Sequence, residues 1–162
     1  MGNLKNAAAS VHRKRRGRRG GACCGINGAN TYSADQMTMT PVSELVKTLT
    51  SSPKLNGLVT GGIHNLTAND VNAFPRVVFY ELKDADAGYA DNKAYCFEVR
   101  FQISIFTQAG TRRFETSIAN EIDNLMRSIG YGRYDSQPLY EEDTKVYHKA
   151  MRYVKGYFKE EE

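Results

Sequence analysis

Residues Ala94 to Thr107 read AYCFEVRFQISIFT. Tyr95, Phe97, Val99, Phe101, Ile103 and Ile105 take the odd positions; Cys96, Glu98, Arg100, Gln102 and Ser104 take the even ones. A strict period of two belongs to a strand, whose successive side chains leave on opposite faces. A helix of these residues would mix the two sets at every turn. The stretch therefore predicts a strand with one face against a core and the other in water. At about 3.4 Å per residue it is roughly 45 Å long, which is much for a small domain.

Gln108-Ala109-Gly110 reads as a turn, and Thr111 to Ile129 as an amphipathic helix with Phe114, Ile118, Ile122, Leu125, Met126 and Ile129 on one stripe. Thr111 or Gly110 can cap its start and Gly130 can close its end. Gly130 to Pro138, with Tyr131 and Tyr134, predicts a short strand or loop. Thr144 to Phe158 (TKVYHKAMRYVKGYF) predicts a second long strand. One of its faces carries Tyr147, Met151, Tyr153 and Tyr157. That face is expected to look outward, because Tyr and Met are frequent at protein–protein contacts.

In the other direction, Lys83 to Lys93 (KDADAGYADNK) is polar and predicts a turn-forming loop of about eleven residues, acidic at Asp84, Asp86 and Asp91. The acids do not make a calcium loop: the twelfth residue from Asp84 is Tyr95, where a bidentate Glu is needed. Arg76 to Leu82, opened by Pro75, predicts a strand, and Ile63 to Leu66 a short one. Gly57, Gly61 and Gly62 mark a loop tethered by Leu55, Leu58 and Val59. Thr40-Pro41 is a helix entry, with Thr as cap and Pro at the first position. Val42, Leu45, Val46 and Leu49 follow at one-sided spacing until Ser51-Ser52-Pro53.

The class that results is α+β: an antiparallel sheet of about four to five strands, two helices packed on one face, and an extended basic N-terminal arm. Charge divides the chain. Residues 1–39 carry seven Lys/Arg and one acid, residues 40–162 fifteen Lys/Arg and seventeen acids, so the net +4 comes from the arm. Arg13, Lys14, Arg15, Arg16, Arg18 and Arg19 are candidates for contact with an anion such as a phosphate. No aromatic is interleaved with them, so base stacking is not indicated. The arm has few large apolar side chains and is expected to be mobile, or ordered only by partners. Residues 40–162 are expected to form a single domain.

No apolar run approaches the ~18 residues of a membrane helix. Cys23, Cys24 and Cys96 do not suggest a disulfide framework, and their odd number suits a reducing compartment. His12, His64 and His148 match no metal-site spacing, and no phosphate loop, nucleophile elbow or HExxH is present. The expectation is a non-enzymatic protein with no cofactor and no metal.

Several patterns resemble a known family. They are the helix Val42–Thr50, the turn Ser52-Pro53-Lys54-Leu55, the strand entry Phe74-Pro75-Arg76-Val77-Val78-Phe79-Tyr80, and Tyr89-Ala90-Asp91. The long strand Glu98 to Phe106 and the helix carrying Ile118, Ile122 and Leu125 complete the set. Over residues 41–158 the chain resembles the tail completion, or head-to-tail joining, proteins of long-tailed bacteriophages, the group that includes tail terminators. The resemblance implies a subunit of a ring, a hexamer, in the head–tail neck of a virion, made in the host cytoplasm. Such a ring caps the tail tube and docks to the head connector, with DNA passing unread through its lumen. The basic arm departs from that family. Asp84, Asp86, Tyr89 and Asp91, with Tyr147, Met151, Tyr153 and Tyr157, are the expected contacts with neighbouring subunits or partners. The alternative is a small nucleic-acid-binding module that uses the arm, although Glu98 and Arg100 leave the polar face of the central strand close to neutral.

Overall fold

The computed structural model describes residues 30–31 and 40–158. In chain order the elements are β1 (Asn30–Thr31), α1 (Pro41–Thr50), α2 (Pro53–Leu58), β2 (Ile63–Asn65), β3 (Arg76–Ala90) and β4 (Lys93–Thr107). A 3-10 turn (Arg112–Phe114), α3 (Glu115–Ser128), β5 (Gly132–Glu141) and β6 (Val146–Phe158) follow. Apart from Asn30–Thr31, the basic arm, with all its cations, falls outside the described residues.

The quoted stretch is β4, the middle of one sheet ordered β2-β3-β4-β6, with β5 and β1 along the outer side of β6. β3, β4, β6 and β5 alternate in direction, whereas β2 beside β3 and β1 beside β6 are parallel. The α+β class holds, with a mixed sheet in place of the expected antiparallel one. Both parallel additions are strands of three residues or fewer, too short to leave a periodic signal.

Local chemistry sets the helix ends. Thr40 Oγ1 accepts from the Ser43 N–H at 3.2 Å and Pro41 opens α1. Ser52-Pro53 ends α1 and also starts α2, since Ser52 Oγ accepts from the Leu55 N–H at 3.2 Å. The expected tether is therefore a third helix. Thr111 does not cap α3; its hydroxyl accepts from the Gln108 N–H at 3.0 Å, and a 3-10 turn leads into the helix. Gly130 ends the helix at φ +86°, a conformation that suits glycine, and the Tyr131 N–H returns to the Met126 carbonyl at 2.9 Å.

The helices cover one face. Leu45 and Leu49 of α1, Leu55 of α2, and Ile118, Ile122 and Met126 of α3 meet Val77 and Phe79 of β3 and Val99, Phe101, Ile103 and Ile105 of β4. Met151, Tyr153 and Tyr157 of β6 belong to this same core and are fully buried. They were expected outside. Register explains the reversal: Tyr157, Tyr153 and Met151 pair with Phe97, Phe101 and Ile103, so they share the helix-covered face. Lys155, opposite Val99, is 1% exposed and meets Glu44 of α1 at 3.2 Å, above the rings of Tyr131 and Tyr157.

The segment from Lys83 to Lys93 is not a loop. It continues β3 and starts β4, leaving a turn of two residues, Asp91 and Asn92, at φ 50° and 60°. Asp and Asn tolerate that left-handed geometry, which matches the twist of the strands they join. The polarity of the segment reflects a strand pair that extends beyond the core. Cys96 is fully buried.

Candidate interaction surface

The β3–β4 hairpin has two halves. From Arg76 to Tyr80, β3 lies between β2 and β4. From Glu81 onward β2 has ended, and Glu81, Leu82, Lys83, Asp84, Asp86, Tyr89 and Ala90 are exposed. Register shifts at Glu81/Lys83 and Asp86/Gly88 interrupt the ladder there. Asp84, Asp86, Tyr89 and Asp91 thus stand along one projecting ribbon. Tyr147 does not join them; it is half-buried near the other end of the sheet, with the Tyr140 ring at 4.8 Å and the Arg112 guanidinium at 4.0 Å.

On β4 and β3 the sheet face away from the helices is salt-bridged at the hairpin. Glu98 accepts from Arg100 at 2.7 Å and Lys83 at 3.3 Å. Partial burial works to raise the Glu98 carboxyl, and the Arg100 hydrogen bond and charge, helped by Lys83, outweigh it; the group titrates below the usual carboxylate range. Nearer the core this face is polar but not wet. Gln102 and Ser104 are buried. Arg152 donates to Gln102 Oε1 at 2.9 Å and to Asp135 Oδ2 at 2.8 Å, while Gln102 Nε2 donates to Ser104 Oγ at 3.2 Å. Neighbouring strands thereby satisfy groups that solvent was expected to satisfy.

A cleft of about 300 Å³ lies beside this network, walled by Leu66, Val71, Val78, Phe106, Arg76 and His148. The Arg76 guanidinium sits 4.4 Å from the Phe74 ring and 4.7 Å from the Phe106 ring and donates to the Val71 carbonyl. Phe106 stacks on His148 at 4.4 Å. Burial lowers the His148 pKa, Glu141 opposes the shift and Arg76 adds to it; His148 Nε2 is buried with no partner among the described residues. Burial and Arg76 together favour a neutral ring. Among the described residues no three metal-ligating side chains gather, and no helix is long and apolar enough to cross a membrane.

Sequence reasoning missed the other edge. β5 runs ten residues with Tyr134, Leu139 and Tyr140 exposed. Gly130 to Pro138 was expected to be a short strand or loop; the strand runs on through Pro138 to Glu141, and proline is accepted there because β5 is an edge among the described strands.

Comparison with known proteins adds a likeness of fold. No family model matches the chain, and no curated protein does. Among solved structures, a chain from the "Virion of native gene transfer agent (GTA) particle" superposes with a TM-score of 0.55, at 15% identity, over 68% of this chain and 88% of that one. At this identity the likeness is one of architecture: most of that chain is a domain built as this one is.

Proposed function

We propose that the protein is a structural, non-enzymatic subunit of a phage-like virion, placed where tail meets head. In this reading it forms a ring that caps the tail tube and docks to the connector, and DNA passes through the lumen without being read. The observation that carries the reading is the fold shared with a chain of a gene transfer agent virion, over 88% of that chain. The resemblance of residues 41–158 to tail completion proteins supports it independently. The projecting hairpin suits it too, since a polar ribbon held on a rigid sheet can reach a neighbour.

The test is complementation in a phage-like system that lacks the gene. With Asp84→Asn, Asp86→Asn, Tyr89→Ala and Asp91→Asn combined, heads and tails should accumulate separately in micrographs while the subunit stays soluble. Normal joined particles would remove the hairpin from the account. Normal particles without the gene would remove the virion role altogether.

A further inference from the structure

Eight large hydrophobic side chains are exposed among the described residues, and five of them stand on two strands: Leu82 and Tyr89 on β3, and Tyr134, Leu139 and Tyr140 on β5. These strands are the opposite edges of one sheet over the lengths that matter. β2 covers β3 only at Val77, Val78 and Phe79, so the edge from Glu81 to Ala90 has no strand beside it among the described residues. β5, from Gly132 to Glu141, pairs with β6 on one side and with no described strand on the other.

We infer that the β5 edge of one subunit packs against the half of the β3 edge that no described strand covers in a second copy, head to tail. The occupant follows from direction and length. β3, β4, β6 and β5 alternate, so β5 runs opposite to β3. A second copy moved sideways in the same orientation brings its β3 antiparallel to β5 and continues the order of the sheet. Each of these edges, uncovered by any described strand, is ten residues long. The two surfaces differ, so the contact is heterologous and repeats into a ring or a filament.

The edges also set the offset. β5 lies beside Val146 to Val154 of β6, whereas the part of β3 that no described strand covers lies level with the far end of β6, near Phe158. The second copy must therefore shift by about six residues, roughly 20 Å along the strands, which also moves its β2 clear of β5. A stagger of that kind closes on itself when strands tilt to the axis, as in barrels. Pro138 and the three register shifts of β3 against β4 break the ladder into short runs. Such interruptions keep edges from pairing indiscriminately and leave apolar side chains to select the register.

This inference deepens the ring reading and rests on it for the choice of a second copy, but it is tested on the purified full chain. One variant carries Leu82→Lys and Tyr89→Lys, the other Leu139→Lys and Tyr140→Lys; Leu139→Lys alone serves if the pair melts early. By sedimentation the unaltered chain should exceed the mass of one subunit, and each variant should sediment as a single chain. An equimolar mixture of the variants should give a two-chain species, since each keeps the edge the other lacks. An unaltered chain that stays single, variants that keep its mass, or a mixture in which nothing pairs would overturn the inference. Association without a role in particles would instead count against the virion reading.

Discussion

The two halves of the β3–β4 hairpin share one hydrogen-bonded ribbon and differ in nearly everything else. In the half near the helices, Val77 and Phe79 face Ile105 and Ile103 inside the core, and on the reverse side Gln102 and Ser104 are covered and hydrogen-bonded. In the far half, Asp84 and Ala85 pair with Val99 and Glu98, and no described strand lies on the other side of β3. Backbone pairing is the same in both, so what separates a supporting strand from a projecting one is what flanks it. One half holds the domain together. The other extends past the helix-covered core and exposes Leu82 and Tyr89.

That contrast can be broken from the core outward. Phe79→Ala empties a fully packed site in the near half and should cost about 3–5 kcal/mol in a denaturant melt. Glu44→Gln strands the buried Lys155 ammonium; the loss should be about 2–3 kcal/mol, reduced because Glu44 itself reaches solvent. Arg152→Ala leaves Gln102 Oε1 without its donor and Asp135 with only Gln137, and should cost about 1–2 kcal/mol, showing that the polar face also contributes to stability.

His148 gives a sign that pH can read. Its folded pKa is depressed, so the unfolded chain takes up the proton more readily. Stability is unaffected by this group above about pH 6.5, its ordinary value, and is lost as pH falls from there through the folded value. A His148→Gln variant should flatten that part of the pH profile. The smallest effect belongs to the far half: Asp84→Asn with Asp91→Asn should change stability by no more than about 0.5 kcal/mol.

How far the sequence could be read follows the same division. Tyr95 to Ile105 announced β4 because an alternating apolar face leaves a pattern of period two, and Ile118, Ile122 and Met126 announced α3 in the same way. Lys83 to Lys93 hid its strands, since a ribbon outside the core needs no apolar alternation. On β6 both faces are mixed, and only pairing with Phe97, Phe101 and Ile103 decides that Tyr157, Tyr153 and Met151 go inward. Gln102 and Ser104 misled for a related reason: a polar face can be buried when Arg152 and Asp135 lie across from it, and partners on other strands are invisible in a local window. Of the candidate contacts, those at Asp84, Asp86, Tyr89 and Asp91 remain on the surface, while Leu82, Tyr134, Leu139 and Tyr140 became visible only with the edges of the sheet.

Hydrogen exchange, followed residue by residue on the dispersed and the assembled full chain, addresses the division most directly. Amides of Ile103, Ile105 and Met151 should exchange slowly in both states. Outward-facing amides between Glu81 and Ala90, and along Gly132 to Glu141, should exchange quickly in the dispersed chain and slow down on assembly. Equal exchange of those edges in the two states would contradict the claim that the far half of the hairpin and β5 are built for a neighbour.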